Sequence, residues 1–373
     1  MANEAIYAAT IDHYLKPIKP YLEDGAVAEV MINGPQEIYI ERNGALEKTD
    51  AGFADEEAYH AAVNNILQYT GRSYADFAPL VDSRLPDGSR VHVAKEPSAR
   101  HGTVMTIRKF SKEMLDMDWL VQIGSLTGEA RDYLHTAVEG EQNLLVAGGT
   151  SSGKTSLLNA LSDYVPHGQR IVVIEDSAEL QLQQEHVISL EAQAGDQHGR
   201  GATSIRDLFR SSLRLRPDRI IIGEVRGGEA LDMIQAMTSG HGGSMTTLHA
   251  NSPLDAVNRL ETLALMSEVE LPLHALRAQA SSAIDVVVQL NRQIGGQRVV
   301  TQISEVDPLG EDGYYRLRDI FTLQHPHADA ADKRLELAWT GTQSNIGPQL
   351  SVDRAERVPA EIRPIFGLDS PSG

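Results

Sequence analysis

The stretch "NLLVAGGTSSGKTSLLNAL", residues 143–161, constrains the fold of this chain more than any other. An apolar run enters, a glycine-rich turn follows and an amphipathic run leaves. Gly148, Gly149, Thr150, Ser151, Ser152, Gly153, Lys154 and Thr155 fit the pattern Gly, four residues, Gly-Lys-Thr, with Ser156 continuing the same cradle. The glycines let the backbone curl so that its N–H groups face phosphate oxygens, and the helix that follows adds a favourable dipole. Lys154 is expected to reach the β and γ phosphates, and Thr155 to supply an oxygen to Mg²⁺. The lysine–threonine pair is surplus to a Gly-x-Gly-x-x-Gly dinucleotide turn. A nucleoside triphosphate site is the expectation.

Around this loop, from residue 119 onward, short apolar strands alternate with helical runs: "DYLHTAVEG", "RIVVIEDS", "IRDLFRSSLRL", "RIIIGEV", "GEALDMIQAMTSG", "GSMTTLHA" and "SPLDAVNRLETLALM". That alternation predicts an α/β sheet covered on both faces. "AIDVVVQLNRQ", "QRVVTQISEVDP" and "GYYRLRDIFTLQH" add β-hairpin material, and the tail after 325 gives weak signals. Upstream the texture differs. Asn33-Gly34-Pro35 and Asn43-Gly44 mark turns between alternating apolar runs, and residues 55–72 carry helical spacing. Four segments are therefore expected: a helical stretch over 1–19, a compact α+β domain over 20–110, a connection at 111–118 and the nucleotide domain over 119–373.

Two carboxylate-bearing strand ends flank the loop in sequence. "DRIIIGEVRGGEA" is a buried central strand that delivers Glu224 to its C-terminal end, where open α/β sheets place ligands. Burying Glu224 there is costly unless it faces a metal, water or a cation. "RIVVIEDSAEL" delivers Glu175 and Asp176. One carboxylate could hold Mg²⁺ through water while the other orients or deprotonates the nucleophile, and spacing does not rank them. "TSGHGGSMTTLHANS" sets His241 and His249 about a threonine-rich strand, where either could sense the γ-phosphate. A zinc site is rejected, because no third ligand has suitable spacing and the chain has no cysteine. Among the arginines, Arg84 and Arg90 flank "LPDGS". Arg108 interrupts an apolar strand and is expected to bury its stem while presenting its head.

Composition narrows the partners. The formal charge of −19 over 373 residues argues against a duplex nucleic-acid clamp, which gains affinity from lysines and arginines set against phosphates. No stable nucleic-acid partner is expected. No run approaches the 18 apolar residues of a membrane span, and "MANEAIYAATIDHYLKP" lacks the basic start and apolar core of a signal peptide. The expectation is a soluble, unexported protein.

Taken together, "EVMINGPQEIYIERNG", "VDSRLPDGSRVHV", "TIRKF", the Gly148–Thr155 loop, "VVIEDSAEL", the block 213–262 and "AIDVVVQLNR" resemble the secretion-ATPase superfamily of type II and type IV secretion and pilus assembly. The resemblance runs from about residue 20 to about 325, and its nearest branch looks like the ATPases of tight-adherence pili, with type IV secretion and conjugation ATPases as the alternative. It implies a RecA-like P-loop domain preceded by a smaller, PAS-like α+β domain that closes over ATP and Mg²⁺. It also implies a homo-hexamer, cytoplasmic and peripheral to the inner membrane. Such a ring would work on a polytopic inner-membrane platform protein and, indirectly, on pilin or a secreted substrate. By similarity, residues 171–180 look like the aspartate box, with Glu175 the catalytic acid. Residues 218–226 look like the Walker B region with Glu224, and 239–251 like the histidine box with His241 and His249. Arg84, Arg90 and Arg108 match basic positions that face phosphate and the adjacent protomer. Residues 241–243 read His-Gly-Gly where the family commonly has His-Asp-Gly, and the absence of cysteine argues against the zinc-bearing type II branch.

Overall fold

The structure is a computed structural model that describes residues 10–71, 74, 78–110, 115–193, 195, 200–293, 295–324 and 336–368. The expected helix before residue 10, part of the expected connection at 111–114 and part of the tail at 325–335 lie outside the described residues. The fold is mixed α/β, with a smaller α+β unit preceding a larger nucleotide-binding-type unit, and the main division falls between Glu113 and Met114.

The smaller unit opens with helical residues 10–14 and continues with α1 (Lys19–Glu23), β1 (Val27–Ile32), β2 (Ile38–Arg42), β3 (Ala45–Lys48) and α2 (Glu56–Tyr69). It ends with β4 (Leu80–Arg84), β5 (Arg90–Ala94) and β6 (Val104–Arg108). The six strands form one antiparallel sheet in the order β3-β2-β1-β6-β5-β4. Arg42 pairs with Ala45, so Asn43 and Gly44 alone make the turn, and both have positive φ (49° and 79°). That is the twist-matched two-residue hairpin which Asn-Gly favours. Asp55 caps α2 by accepting from the Ala58 amide at 2.7 Å. The buried stripe Tyr59, Ala62, Val63, Ile66 and Leu67 belongs to the same core cluster as Val30, Ile32, Ile38, Ile40, Val91, Val93, Met105 and Ile107 on the inner face of the sheet.

In the larger unit, α3 (Met117–Gln122) and α4 (Gly128–Glu139) lead into β7 (Leu144–Gly148) and α5 (Lys154–Ser162). Next come β8 (Ile171–Glu175), β9 (Val187–Glu191), α6 (Ile205–Ser212), β10 (Arg219–Ile222), α7 (Glu229–Met237) and β11 (Met245–Leu248). After α8 (Pro253–Leu265) and α9 (Leu273–Ala283) come β12 (Val286–Arg292), β13 (Arg298–Asp307), β14 (Arg316–Gln324), β15 (Glu336–Trp339) and α10 (Val352–Arg357). The nine strands run β15-β14-β13-β12-β7-β11-β10-β8-β9, parallel from β12 to β9 and antiparallel from β12 outward to β15. Burial on both faces explains the unbroken apolar strands. Leu144 and Val146 of β7 enter one core cluster while Leu145 and Ala147 enter the other.

Three features depart from the sequence reading. β9 has no apolar run to announce it, because its residues are only half-buried at the sheet edge. β12 is more than hairpin material: it pairs in parallel with β7, which places Leu290 beside Gly148. The weakly patterned tail is in part core, since Ile346, Val358, Ile362, Ile365 and Phe366 pack into the cluster that holds Leu144 and Val146.

Candidate active site

The phosphate loop leaves the C-terminal end of β7, the fifth of the nine strands. Two backbone demands explain its glycines. A Cβ on Gly148 would sit 2.5 Å from Ser152 Oγ and 2.6 Å from the Leu290 carbonyl oxygen. Gly153 initiates α5 at φ +97°, a left-handed conformation with little cost only for glycine. Ser151 also takes a positive φ of 56°, and its carbonyl accepts from Arg298 Nε at 3.1 Å. Lys154 is 7% exposed, and its ammonium donates to the carbonyls of Gly148 (3.1 Å) and Gly149 (2.9 Å).

Strands β7, β11, β10 and β8 are neighbours in that order, so their C-terminal ends form one rim. On this rim the structure gathers four of the expected residues. Lys154 Nζ lies 3.5 Å from His249 Nδ1, and His249 Nε2 lies 3.1 Å from Glu224 Oε1. A lysine ammonium only donates, so Nδ1 acts as acceptor and the ring proton sits on Nε2, toward Glu224. Burial and then the Lys154 charge push the His249 pKa below its ordinary value, against the pull of Glu224. A neutral imidazole follows from both. Glu175, 4% exposed, ends β8 next to the glycine that precedes Glu224; a Cβ on Gly223 would lie 3.0 Å from Glu175 Cγ. Glu175 Oε1 accepts from the amides of Glu179 (2.9 Å) and Leu180 (3.0 Å), so it also fixes the turn after β8.

His241 is not brought to this rim. It precedes β11, whereas His249 follows it, and the four residues of β11 span roughly 13 Å at about 3.3 Å each. Its neighbourhood is the opposite end of the sheet: Ser244 Oγ donates to the His241 carbonyl, and the Ser244 amide donates to Asn143 Oδ1. Within one chain, His241 and His249 thus lie at opposite ends of β11. The His-Gly-Gly departure lies at this same end. A Cβ on Gly242 would meet only the Glu141 carbonyl, at 3.4 Å.

In the smaller unit, Arg84 pairs with Arg90 and Arg90 pairs with Arg108 across three adjacent strands, with Glu29 opposite Arg108. Directly opposed residues share a face with Cβ atoms about 5 Å apart. The three expected arginines therefore form one transverse row on the face away from the core. Arg108 is the last residue of β6 and is exposed. Burial raises the Glu29 pKa, while Arg108 pulls it back down.

Sequence reasoning had not assigned a role to three further features. Arg226 donates to Glu224 Oε2 at 2.8 Å and reaches Asp176 at 3.4 Å, and the bond to Glu224 raises its pKa. Glu229 folds back to accept from the amides of Arg226 (2.7 Å) and Gly227 (2.8 Å), which locks the turn that presents Glu224. Beside the loop opens an apolar cavity of about 320 Å³, walled by Trp119, Leu120, Ile123, Leu290 and Val300 with Arg298 at its side. Arg298 and Ile123 lie 175 residues apart in sequence and had no local signal.

These features meet the demands of a nucleoside triphosphate. The loop cannot carry a side chain at Gly148, a lysine is buried at the start of α5, and acids end the neighbouring strands. Among the described residues, no group of three or more histidines, aspartates or glutamates is placed to hold a metal alone. A magnesium ion would therefore depend on Thr155, Glu224 and the oxygens of the nucleotide.

A family model described as "Type II/IV secretion system protein" matches residues 12–313. The type IV secretion system protein PtlH of Bordetella pertussis is 34% identical over 314 residues, covering 77% of this chain and 92% of that protein. A putative conjugal transfer protein of Mycobacterium tuberculosis is 31% identical over 293 residues, covering 77% and 83%. The crystal structure of the ATPase DotB of Legionella pneumophila has the same fold, with a TM-score of 0.55 at 18% identity over 79% of each chain. The chain belongs to the type II/IV secretion system protein family.

Proposed function

We propose that this chain hydrolyses ATP with Mg²⁺ and couples the reaction to a type IV secretion or conjugation machine at a membrane. The observation that carries the chemistry is the convergence of Lys154, His249, Glu224 and Glu175 on the rim of four adjacent parallel strands. Gly148–Ser156 would cradle the triphosphate, with Lys154 exchanging its loop carbonyls for phosphate oxygens. Thr155 would hold the metal directly. Both oxygens of Glu224 already have partners, so it would act on the metal through water. Magnesium, when bound, neutralises charge on the β and γ oxygens. Glu175 would orient and deprotonate the attacking water, and His249 would report the γ-phosphate to Glu224. The apolar cavity beside Gly153 and Ser156 suits the base.

The tight-adherence reading of the sequence gives way to its alternative. The relatives are a type IV secretion protein and a conjugal transfer protein, and they support that branch over the pilus branch. By the same relationship the working form would be a hexamer, with Arg84, Arg90 and Arg108 serving a neighbouring subunit's nucleotide. Its partner would be a membrane platform and its substrate the exported protein or DNA–protein cargo. No helix among the described residues is long and apolar enough to cross a membrane, so a peripheral place on the cytoplasmic side of the inner membrane fits this reading.

The test is Mg²⁺-dependent phosphate release by the purified full chain. Lys154→Ala should lose both nucleotide binding and turnover. Turnover that survives this replacement would remove the ATPase reading. Loss of DNA or effector transfer, with pili still assembled, would favour the type IV secretion branch. The reverse pattern would restore the tight-adherence one.

A further inference from the structure

At the end of the large sheet opposite the phosphate loop lies a second, polar cavity of about 590 Å³. It opens where β12 begins and β13 ends, beside the C-terminal end of α9, whose carbonyl dipoles favour positive charge. Asp285, Glu305 and Asp307 line it, and among the described residues Arg318 is the one cation in its wall. Glu305 is 2% exposed and accepts from Tyr133 Oη at 2.8 Å, from Ser344 Oγ and from the Asn345 amide at 2.7 Å. Asp285 accepts from the Asn143 amide at 2.7 Å, and burial, with Glu305 nearby, pushes its pKa up to about 6.

A second observation is independent of the acids. Gln142, 6% exposed, also lines the cavity. Its Nε2 donates to the Gly140 carbonyl at 3.1 Å, which fixes the orientation of the amide. Its Oε1 is buried and has no hydrogen-bond partner among the described residues. A buried acceptor is costly to leave unmet, so this wall calls for a donor. Among the described residues no group of three or more histidines, aspartates or glutamates is arranged for a metal. The rim already shows what the wall accepts: the Arg318 guanidinium is held by Asp307 (3.2 Å), Asn345 Oδ1 (2.9 Å) and the Gln343 carbonyl (3.2 Å).

We propose that this cavity binds an organic cation through a guanidinium or primary ammonium group, with Asp285 and Asp307 supplying charge and Gln142 Oε1 accepting one N–H. The group can come from a free polyamine-like molecule or from an arginine or lysine side chain that a partner inserts. Binding here is separate from nucleotide chemistry.

The experiment uses the full chain, with agmatine and acetyl-arginine-amide as probes, titrated calorimetrically at fixed ionic strength. Saturable binding at one site per subunit is expected, about tenfold weaker in Asp285→Asn or Asp307→Asn, since each removes a charge-assisted contact. Gln142→Leu, which keeps all the charges, should also weaken it. Glu268→Gln removes one exposed surface charge outside the cavity and should leave it unchanged. Tighter binding of agmatine points to a diffusible amine; equal or tighter binding of the arginine amide points to a side chain. Absence of saturable binding for both probes overturns the proposal. So does an equal loss in Glu268→Gln, or undiminished binding in correctly folded Gln142→Leu.

Discussion

His249 Nε2 lies 3.1 Å from Glu224 Oε1, while the other ring nitrogen faces Lys154 at 3.5 Å. One imidazole, just after β11, thus lies between the loop lysine that follows β7 and the acid that follows β10. If this link carries the state of the loop to Glu224, His249→Gln should retain nucleotide affinity and lose about 10²-fold in turnover, the scale of one preorganised contact to developing charge. Parallel loss of affinity would reduce His249 to part of the binding wall. The lowered pKa of His249 adds a signed expectation. Its folded value lies below the unfolded value of about 6.5, so protons favour the unfolded chain. The contribution of His249 to stability is present above about pH 6.5 and is lost as pH falls through the folded value. Urea midpoints at pH 7.5 and pH 5.5 should therefore drop less in His249→Gln than in the parent.

Glu175 does two jobs that substitution can separate. Its Oε1 holds two backbone amides of the following turn, and glutamine keeps that acceptor while removing the charge. Glu175→Gln should melt close to the parent, bind nucleotide and lose hydrolysis. Glu175→Ala strands two amides and should also lose stability, by about 1–3 kcal/mol for an unmet buried donor. Calorimetric melting beside phosphate release distinguishes them. Equal melting in the two variants would show that the turn does not depend on this carboxylate.

What the sequence made legible follows from range. The loop, the Asn43-Gly44 turn, the α2 stripe and the Glu224 strand end are local patterns whose chemistry is complete within a few residues. The proximity of Lys154, Glu224 and His249 was inferable because parallel strands place their C-terminal ends on one rim. By the same logic His241, which sits before its strand and not after it, belongs to the other end of the sheet. Arg298 meeting Ser151, Leu290 beside Gly148 and the buried tail depend on which strands neighbour β7, and periodicity carries no such information.

The arginine row makes a different kind of prediction. Arg84, Arg90 and Arg108 stand opposite one another on three strands. Like charges so placed are mildly destabilising. Replacing Arg90, the central member, by glutamine removes one charge from the row and keeps a polar side chain at that position. Turnover should fall by a large factor if the row supplies an arginine in trans, where such groups are worth about 10³–10⁵. Rings mixed from Arg108→Ala and Glu175→Gln subunits should regain part of the activity that each lacks alone. Mixed rings that assemble and stay inactive would place the action of Arg108 within its own subunit, or outside catalysis.

Gly243 and Arg219 provide the sharpest stability test. Gly243 has φ +72°, and a Cβ there would lie 1.4 Å from Arg219 Nη1. That guanidinium is 1% exposed, bonded to Gln169 Oε1 at 2.7 Å and to the Val138 carbonyl at 3.0 Å. Burial pushes its pKa down to about 10, so it still carries its charge near neutral pH. Alanine at 243 must displace it and break those bonds, at about 1.5–3 kcal/mol for each bond to a charged group. The left-handed backbone adds roughly 1–2 kcal/mol. Gly243→Ala should therefore cost at least about 3 kcal/mol by urea unfolding. In an Arg219→Met background the clash is with a flexible apolar chain and only the backbone cost should remain. The two replacements should then fall short of additivity by about 2 kcal/mol, well above the scatter expected of independent sites. Strict additivity would mean that Gly243 is required for its backbone alone and that Arg219 does not hold the segment carrying His241.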